Sequence, residues 1–214
     1  MKILIPLKRA LRGFLRRFLG INIVTVPRCL PPQLGEDCQI HESVEFSGFI
    51  ENIKVGRNVR IEKNVVIRCE DKNSSVTIGN DTVLMPFSVV LSNVGGHISI
   101  GNHCSVNSFC TLYGGYGKTI IGNHVRIATH TVIVPTNHNF DDIETPVTYQ
   151  GHSSRGIIIE DDVWIGAGVK VLDGVHIGKG SVIGASAVLN RSIEPFSVAV
   201  GIPARVIGKR GLKA

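Results

Sequence analysis

The stretch IEDDVWIGAGVKVLDGVHIGKGSVIGASAVL, residues 159–189, repeats itself every six positions. A large aliphatic residue begins each unit, and a small residue follows it four positions later. The aliphatic residues are Ile159, Ile165, Val171, Ile177, Ile183 and Leu189, and the small ones are Val163, Val169, Val175, Ser181 and Ala187. A period of six matches neither the 3.6-residue period of an α-helix nor the alternation of a single strand. It predicts a short strand and a sharp turn, with three such units closing one triangular coil.

The same period extends towards the N-terminus in groups of three aliphatic residues, one group for each coil. These groups are Leu34, Ile40 and Phe46; Val55, Ile61 and Ile67; Ile78, Leu84 and Val90; Ile100, Val106 and Leu112; and Ile121, Ile127 and Ile133. The pattern predicts an all-β fold of about seven coils stacked as parallel strands, roughly 30 Å tall at about 4.8 Å for each coil. With 6% aromatic and 43% hydrophobic residues, the core is expected to be aliphatic, and its β-branched side chains favour extended backbone.

The cysteines indicate packing rather than disulfide or metal chemistry. The chain has five, at positions 29, 38, 69, 104 and 110, without the spacing of a disulfide framework or a zinc site. Cys38, Cys104 and Cys110 occupy the small inward position of the repeat, where we expect buried, unreactive thiols. Free cysteines and the lack of a membrane-spanning apolar run predict a cytoplasmic protein.

Residues 1–33 form a separate segment, ahead of a β-helix domain at 34–207 and a basic tail at 208–214. The first 35 residues hold seven of the 23 basic residues and none of the 17 acidic ones. An amphipathic α-helix is predicted here, with Leu and Phe on one face and Lys and Arg on the other. This helix either caps the open end of the β-helix or lies, through residues 2–19, on an anionic membrane surface. The rest of the chain is near neutral, so nucleic acid is not expected as a partner.

One interval of the repeat is much longer than the others. Between Ile133 and Ile159 about 20 residues, near 134–158, leave the coil. Long excursions from a rigid scaffold are usually functional. This one begins with Thr136-Asn137-His138-Asn139-Phe140, and a neutral imidazole with a pKa near 6.5 can take a proton from a hydroxyl at neutral pH. His138 is therefore the candidate general base, and His152, in the same excursion, is its rival.

Three motifs in this region resemble those of hexapeptide-repeat acetyltransferases, in particular the sugar and polysaccharide O-acetyltransferases related to the maltose and galactoside enzymes. The motifs are Asn137-His138-Asn139-Phe140, the coil Ile159-Glu160-Asp161-Asp162-Val163-Trp164-Ile165-Gly166-Ala167-Gly168, and the ending Val200-Gly201-Ile202-Pro203-Ala204-Arg205. The resemblance covers residues from about 34 to 210. It implies a left-handed parallel β-helix, a homotrimer with active sites between neighbouring prisms, acetyl-CoA as co-substrate without a metal, and a sugar or glycan acceptor.

The resemblance also assigns roles to individual residues. It places the catalytic base on His138 and an outward-facing contact for the pantetheine arm on Trp164. Arg191 and Arg205 correspond to positions that meet the coenzyme phosphates, and Asn107 to an asparagine that binds the acceptor sugar. The full set of cofactor-binding candidates is Trp164, Gly166, Ala167, Ala185, Arg191 and Arg205, and the substrate-binding candidates are Asn107, Asn137 and Asp141. Asp141 can equally be part of an exposed acidic turn, and the glycines can be required by the turns alone.

Three other functions remain as alternatives. The first is acetyl transfer to another small acceptor, such as an amino-sugar, serine or drug. The second is a zinc lyase of the γ-carbonic-anhydrase type, which needs three converging histidines. His124 and His130 are six residues apart and are expected on successive faces, which argues against such a site. The third is a non-catalytic β-helix binding module, which would leave the long excursion unexplained.

Overall fold

The computed structural model describes residues 32–211. These residues form short β-strands and two single turns of 3-10 helix, at Ile50–Asn52 and Val147–Tyr149. Three parallel sheets make the faces of a triangular prism, here called faces A, B and C. The predicted amphipathic helix within residues 1–33 lies almost wholly outside the described residues. Within residues 32–211 no helix is long and apolar enough to cross a membrane.

The strands follow one another around the prism in the order A, B, C. Face A consists of β1 (Gln33–Leu34), β4 (Ile53–Val55), β7 (Ser75–Ile78), β10 (His97–Ile100), β13 (Lys118–Ile121), β18 (Ile157–Ile159) and β21 (His176–Ile177). Face B consists of β2 (Gln39–Ile40), β5 (Arg60–Ile61), β8 (Val83–Leu84), β11 (Ser105–Val106), β14 (Arg126–Ile127), β19 (Trp164–Ile165), β22 (Val182–Ile183), β24 (Ser197–Val200) and β25 (Arg205–Lys209). Face C consists of β3 (Glu45–Gly48), β6 (Val66–Cys69), β9 (Val89–Ser92), β12 (Thr111–Tyr113), β15 (Val132–Ile133), β20 (Lys170–Val171) and β23 (Val188–Leu189).

Faces A and C each contain seven strands, so the prism has seven complete coils, as the repeat predicted. The register continues across the long excursion. Ile121 pairs with Ile159, Ile127 with Ile165, and Ile133 with Val171. Beyond the last coil, β24 extends face B and β25 pairs with it antiparallel. The prediction of an all-β parallel β-helix of about seven coils is therefore confirmed.

The predicted inward residues line one continuous aliphatic core. Ile61, Ile127 and Ile165 are at most 1% exposed. Cys104 and Cys110 are buried among them, as predicted, whereas Cys38, in the outermost described coil, is only partly buried. Burial raises the pKa of the Cys110 thiol to about 11. Leu34 differs from the prediction, since it is 48% exposed. It belongs to the outermost described coil, which has a neighbouring coil on one side only.

The three edges of the prism carry different connections. The AB and BC edges are tight turns, whereas the CA edge, where each coil passes from face C to face A, carries all the longer connections. The long excursion leaves this edge after β15 and returns at β18, so it comprises residues 134–156. It was predicted to end at 158, but Ile157 and Ile158 already pair with Thr119 and Ile120 in the ladder of face A.

Candidate active site

The excursion closes on itself at its root. Two short strands, β16 (Asn137–His138) and β17 (His152–Ser153), pair antiparallel, with Asn137 opposite Ser153 and His138 opposite His152. Thr136 donates a hydrogen bond to the carbonyl of Gly115, on the connection at the CA edge of the previous coil. The root is thus a small hairpin resting on the prism, and His138 lies in its first strand.

Asp173 fixes this root to the next coil. Its carboxylate is 3% exposed and accepts hydrogen bonds from the backbone N–H of Arg155 at 2.7 Å and of Gly156 at 3.0 Å. The side-chain amide of Asn137 donates to the same carboxylate at 3.1 Å, and the Arg155 guanidinium lies 3.5 Å away. One buried carboxylate therefore ties both strands of the hairpin to the turn after β20.

The outer part of the excursion is ordered by Gln150. Its side-chain amide donates to the carbonyls of Asp142 at 2.7 Å and Thr145 at 2.6 Å, and its side-chain oxygen accepts from the N–H of Asp142 at 3.0 Å. Asn139 bridges the two limbs, because its amide donates to the carbonyl of Gln150 at 3.0 Å. Asp141 is exposed, and its carboxylate makes no hydrogen bond or ion pair within residues 32–211. The outer part of the excursion is therefore ordered by hydrogen bonds within the excursion itself.

The imidazole of His138 is exposed and is held by ring contact. Neither ring nitrogen hydrogen-bonds to any residue between 32 and 211. The ring lies 4.1 Å from that of His152, between centroids, at an angle of 46°. His152 in turn stacks on Tyr116, with centroids 4.4 Å apart and planes 17° apart. The flanking asparagines hold the hairpin and not the imidazole, so both nitrogens of His138 are available for proton transfer.

A second group of predicted residues lines the BC edge. Gly166 and Ala167 follow β19, and Ala185 occupies the equivalent turn one coil further on. Trp164 is 57% exposed on face B beside this edge, which confirms that it points outward. Arg205 begins β25 and is exposed, with one guanidinium nitrogen donating to the carbonyl of Ala204 at 2.9 Å. Small residues, an indole and a guanidinium therefore share one edge of the prism.

The backbone of this groove offers two unengaged donors. The N–H of Gly166 donates to the carbonyl of Ile183 at 2.8 Å and cannot bind another acceptor well. The N–H groups of Ala167 and Ala185 make no hydrogen bond within residues 32–211. A Cβ at Gly166 would lie 2.7 Å from the nitrogen of Ala185, so glycine is required there by the close approach of the two coils.

The structure divides the predicted site residues between two edges. His138, Asn137 and Asp141 lie in the excursion at the CA edge, and Arg191 follows β23 at that same edge in the last coil. Trp164, Gly166, Ala167, Ala185 and Arg205 lie at or beside the BC edge. Asn107 is on the BC edge two coils below Gly166, half-buried, with no hydrogen bond from its side chain to a residue between 32 and 211. Face C separates the two groups within one chain.

Sequence reasoning missed three residues that build the site. Asp173 lies in an ordinary turn of the repeat, and Tyr116 lies in the glycine-rich connection 114–117, with a positive φ of 58°. Arg155 lies two positions before the returning strand β18. Only Asp173 had a signal in the sequence, because it is a carboxylate in a turn at the edge where the chain also leaves the coil. A buried carboxylate in a turn commonly accepts hydrogen bonds from free backbone N–H groups.

The other histidines lie elsewhere and do not gather. His103 and His124 stack at the AB edge with centroids 5.0 Å apart, and His130 stacks on Phe109 at the BC edge, also at 5.0 Å. His124 and His130 are thus on different edges, as expected. No group of three or more metal-ligating side chains occurs among the described residues.

Coils with three faces, six-residue units and an excursion with an exposed imidazole define a hexapeptide-repeat β-helix protein. Residues 156–191 match the family model described as bacterial transferase hexapeptide, six repeats. The chain is 31% identical, over 74% of its length and 83% of the relative's, to the dTDP-4-amino-4,6-dideoxy-D-glucose acyltransferase of Escherichia coli. It therefore belongs to the hexapeptide-repeat transferase family.

Other similarities are partial or distant. A probable acetyltransferase of Mycobacterium tuberculosis is 31% identical over 84% of this chain and 50% of its own length. The galactoside O-acetyltransferase of Escherichia coli is 34% identical over 64% of each chain. The chain thus spans about half to two thirds of these first curated relatives. The crystal structure of the polySia specific acetyltransferase NeuO has the same fold, with a TM-score of 0.65 at 21% identity over 86% of this chain and 81% of NeuO.

Proposed function

We propose that this protein is an acetyl-CoA-dependent O-acetyltransferase that modifies a sugar hydroxyl, with His138 as the general base. The observation that carries the proposal is the His138 imidazole, which is exposed and free at both nitrogens, on a hairpin fixed by Asp173. A base of this kind must be positioned while keeping a nitrogen open to the incoming hydroxyl. The family membership of the scaffold supports acyl transfer as the reaction.

The chemistry needs one proton acceptor and one site for the developing negative charge. His138 accepts the proton of the acceptor hydroxyl as its oxygen bonds to the thioester carbonyl carbon. The C–S bond then breaks, and His138 returns the proton to the departing thiolate. The unengaged N–H of Ala167 is suited to stabilise the oxyanion, since donors fixed in advance lower the barrier most. No covalent enzyme intermediate is involved.

The BC edge fits a coenzyme A thioester. Ala167 and Ala185 present no side chain beyond Cβ, and the unengaged N–H of Ala185 can donate to an amide oxygen of a pantetheine arm. The exposed indole of Trp164 provides an apolar wall. Arg205 suits the phosphates because a guanidinium binds phosphate oxygens through paired donors. Arg191 lies at the CA edge. It is proposed to contact a phosphate of the coenzyme A that is bound in the groove of a neighbouring copy.

A complete site then requires two copies of the chain. His138 and the groove lie on different edges of one prism, with face C between them. We propose a homotrimer in which the CA edge of one copy lies beside the BC edge of the next. Closed rotational symmetry would repeat this contact three times. Asn107, Asn137 and Asp141 would then contact the acceptor at the junction between copies.

The acceptor is proposed to be a bacterial surface polysaccharide or its precursor. The named activity of the galactoside relative, O-acetylation of a sugar, supports a hydroxyl acceptor. The second candidate is acyl transfer to the amine of a nucleotide-linked amino-sugar. It is favoured by the Escherichia coli acyltransferase, because the chain covers 83% of that relative. The basic side chains within residues 2–19 lie outside the described residues. They would attract the protein to an anionic membrane surface, which suits an acceptor assembled at the inner face of a membrane.

The proposal is tested by measuring thiol release from acetyl-CoA with a panel of acceptors. The panel should contain free sugars, polysaccharide fragments, lipid-linked glycans and dTDP-linked amino-sugars. Mass spectrometry of the product distinguishes an ester on oxygen from an amide on nitrogen. Release that depends on a hydroxyl acceptor supports the proposal, and an amide product from an amino-sugar supports the second candidate. Absence of coenzyme A binding by calorimetry contradicts both.

A further inference from the structure

We propose that His152 is a positioning residue that holds the imidazole of His138 through its ring, with Tyr116 as its support. This inference deepens the proposed function and rests on it. The rings form a series of three, Tyr116, His152 and His138, with centroid distances of 4.4 and 4.1 Å. The series starts on the prism and ends at the proposed base.

The need for such a residue follows from the surroundings of His138. A histidine that acts as general base is usually oriented by a hydrogen bond that its second ring nitrogen donates to a carboxylate or a carbonyl. Within residues 32–211 neither nitrogen of His138 has such a partner, and the residue is exposed. The ring of His152 is its observed aromatic contact. Without that contact the side chain would be free to populate several rotamers.

The hairpin explains how His152 comes to face His138. The two residues are direct partners in the antiparallel pair β16–β17, 14 positions apart in the chain. Side chains of directly opposed residues in such a pair lie on the same face and within contact distance. The buried carboxylate of Asp173 binds both limbs of the hairpin, through Asn137 and Arg155, which maintains this register.

Tyr116 makes His152 a fixed rather than a mobile neighbour. It belongs to the connection between β12 and β13, in the coil below the excursion, and its φ of 58° turns that connection tightly. The Tyr116 and His152 planes are nearly parallel, 17° apart. Stacking of this kind restricts the ring of His152, which is itself only partly exposed. Two ring contacts, Tyr116 to His152 and His152 to His138, thereby fix the position of the base relative to the prism.

The test compares His152→Ala with His152→Phe, since phenylalanine keeps a ring but has no nitrogen. His152→Ala is expected to lower kcat about 10- to 100-fold, as expected when a reacting group loses its alignment. The KM for acetyl-CoA and the melting temperature should change little, and His152→Phe should recover kcat to within about threefold of wild type. His124→Ala is the matched control, because it removes a stacked imidazole at the AB edge, away from the site.

Each outcome separates this proposal from the proposed function. If His138→Ala is inactive while His152→Ala keeps wild-type kcat, His152 is not a positioning residue, although the base assignment stands. If His152→Phe is as impaired as His152→Ala, the imidazole nitrogens matter and positioning through the ring is wrong. If His138→Ala is fully active, both proposals fail. As a readout independent of turnover, NMR of proteins with 13C-labelled histidine rings should show the His138 resonance shifting in His152→Ala and staying in place in His124→Ala.

Discussion

Asp173 and Arg155 are joined by a backbone hydrogen bond of 2.7 Å between the N–H of Arg155 and a carboxylate that is 3% exposed. Arg155 is the next-to-last residue of the excursion, and Asp173 belongs to the following coil, so this contact fixes the excursion to the prism. The Arg155 side chain is 75% exposed, and its charge adds little to the stability of the contact. The N–H groups of Arg155 and Gly156 are the partners that matter.

Asp173→Ala is expected to lower the free energy of unfolding by about 1–3 kcal/mol, because two partly buried N–H groups lose their acceptor. The excursion should also become sensitive to limited proteolysis near Asn139, with a fall in turnover. Asp162→Ala is the control. Its carboxylate is 51% exposed and pairs with Arg210 at the surface, so a loss of less than about 1 kcal/mol is expected. Equal losses in the two variants would contradict the role given to Asp173.

Gly166→Ala is expected to weaken coenzyme A binding and lower the melting temperature. The new Cβ would lie 2.7 Å from the Ala185 nitrogen and 2.8 Å from the Ile183 oxygen, so the two coils must move apart at the groove. Overpacking of this kind costs about 1–3 kcal/mol. Gly208→Ala is the matched control, since nothing lies within 4 Å of its added Cβ. Calorimetric titration with coenzyme A measures the affinity, and unchanged binding in Gly166→Ala would argue against this edge as the groove.

Mixed oligomers test whether the site is shared between copies. The inactive variant His138→Ala is co-expressed with an inactive groove variant, Gly166→Val. If each site uses the base of one copy and the groove of the next, about a quarter of the sites in randomly mixed trimers have both parts intact. About a quarter of wild-type turnover should then be restored. Each variant expressed alone should remain inactive. No recovery in pools whose mixed trimers are verified by mass spectrometry would show that base and groove act within one chain.

The buried thiols predict a loss of stability at alkaline pH. Burial raises the pKa of Cys110 from 9.0 to about 11, so the folded chain keeps a proton that the unfolded chain releases between these values. The unfolded state then binds fewer protons, and the free energy of unfolding falls as pH rises above 9, by at most about 1.4 kcal/mol per pH unit for one thiol. Urea denaturation at pH 8, 9 and 10 should show this fall. The fall of the free energy of unfolding with pH should be less steep in Cys110→Ser. Serine is compatible with this position, because Ser88 occupies the same position in a neighbouring coil. An identical slope in wild type and Cys110→Ser would show that the Cys110 thiol does not cause the fall.

Much of the fold could be predicted because the six-residue period specifies which side chains point inward. Ile127, Ile165 and Cys110 were assigned to the interior and are buried there. The same period located the excursion at 134–158, although its last two residues are in β18. The exposure of Leu34 escaped prediction because the period does not indicate which coil lies at the end of the stack.

The interior of the excursion could not be predicted, because no repeat governs it. The pairing of His138 with His152 depends on a hairpin closed by contacts with Asp173, which lies 21 residues beyond His152 in the chain and in a different coil. His152 could be recognised only as a second histidine of the same excursion. The motifs that resemble acetyltransferase sites also lie on two separate edges of the prism within one chain. His138 is at the CA edge and Trp164 is beside the BC edge, and the spacing of these residues along the sequence does not reveal this separation.

Coenzyme A release by wild-type protein and by His138→Ala, with an acceptor identified from the panel, tests the assignment of the base most directly. Removal of a general base lowers kcat by a factor of about 100 to 10,000. We expect a loss in that range, with acetyl-CoA affinity and melting temperature unchanged, because the imidazole is exposed and makes no hydrogen bond to residues 32–211. A His138→Ala protein that turns over at a near-normal rate would contradict the proposed mechanism.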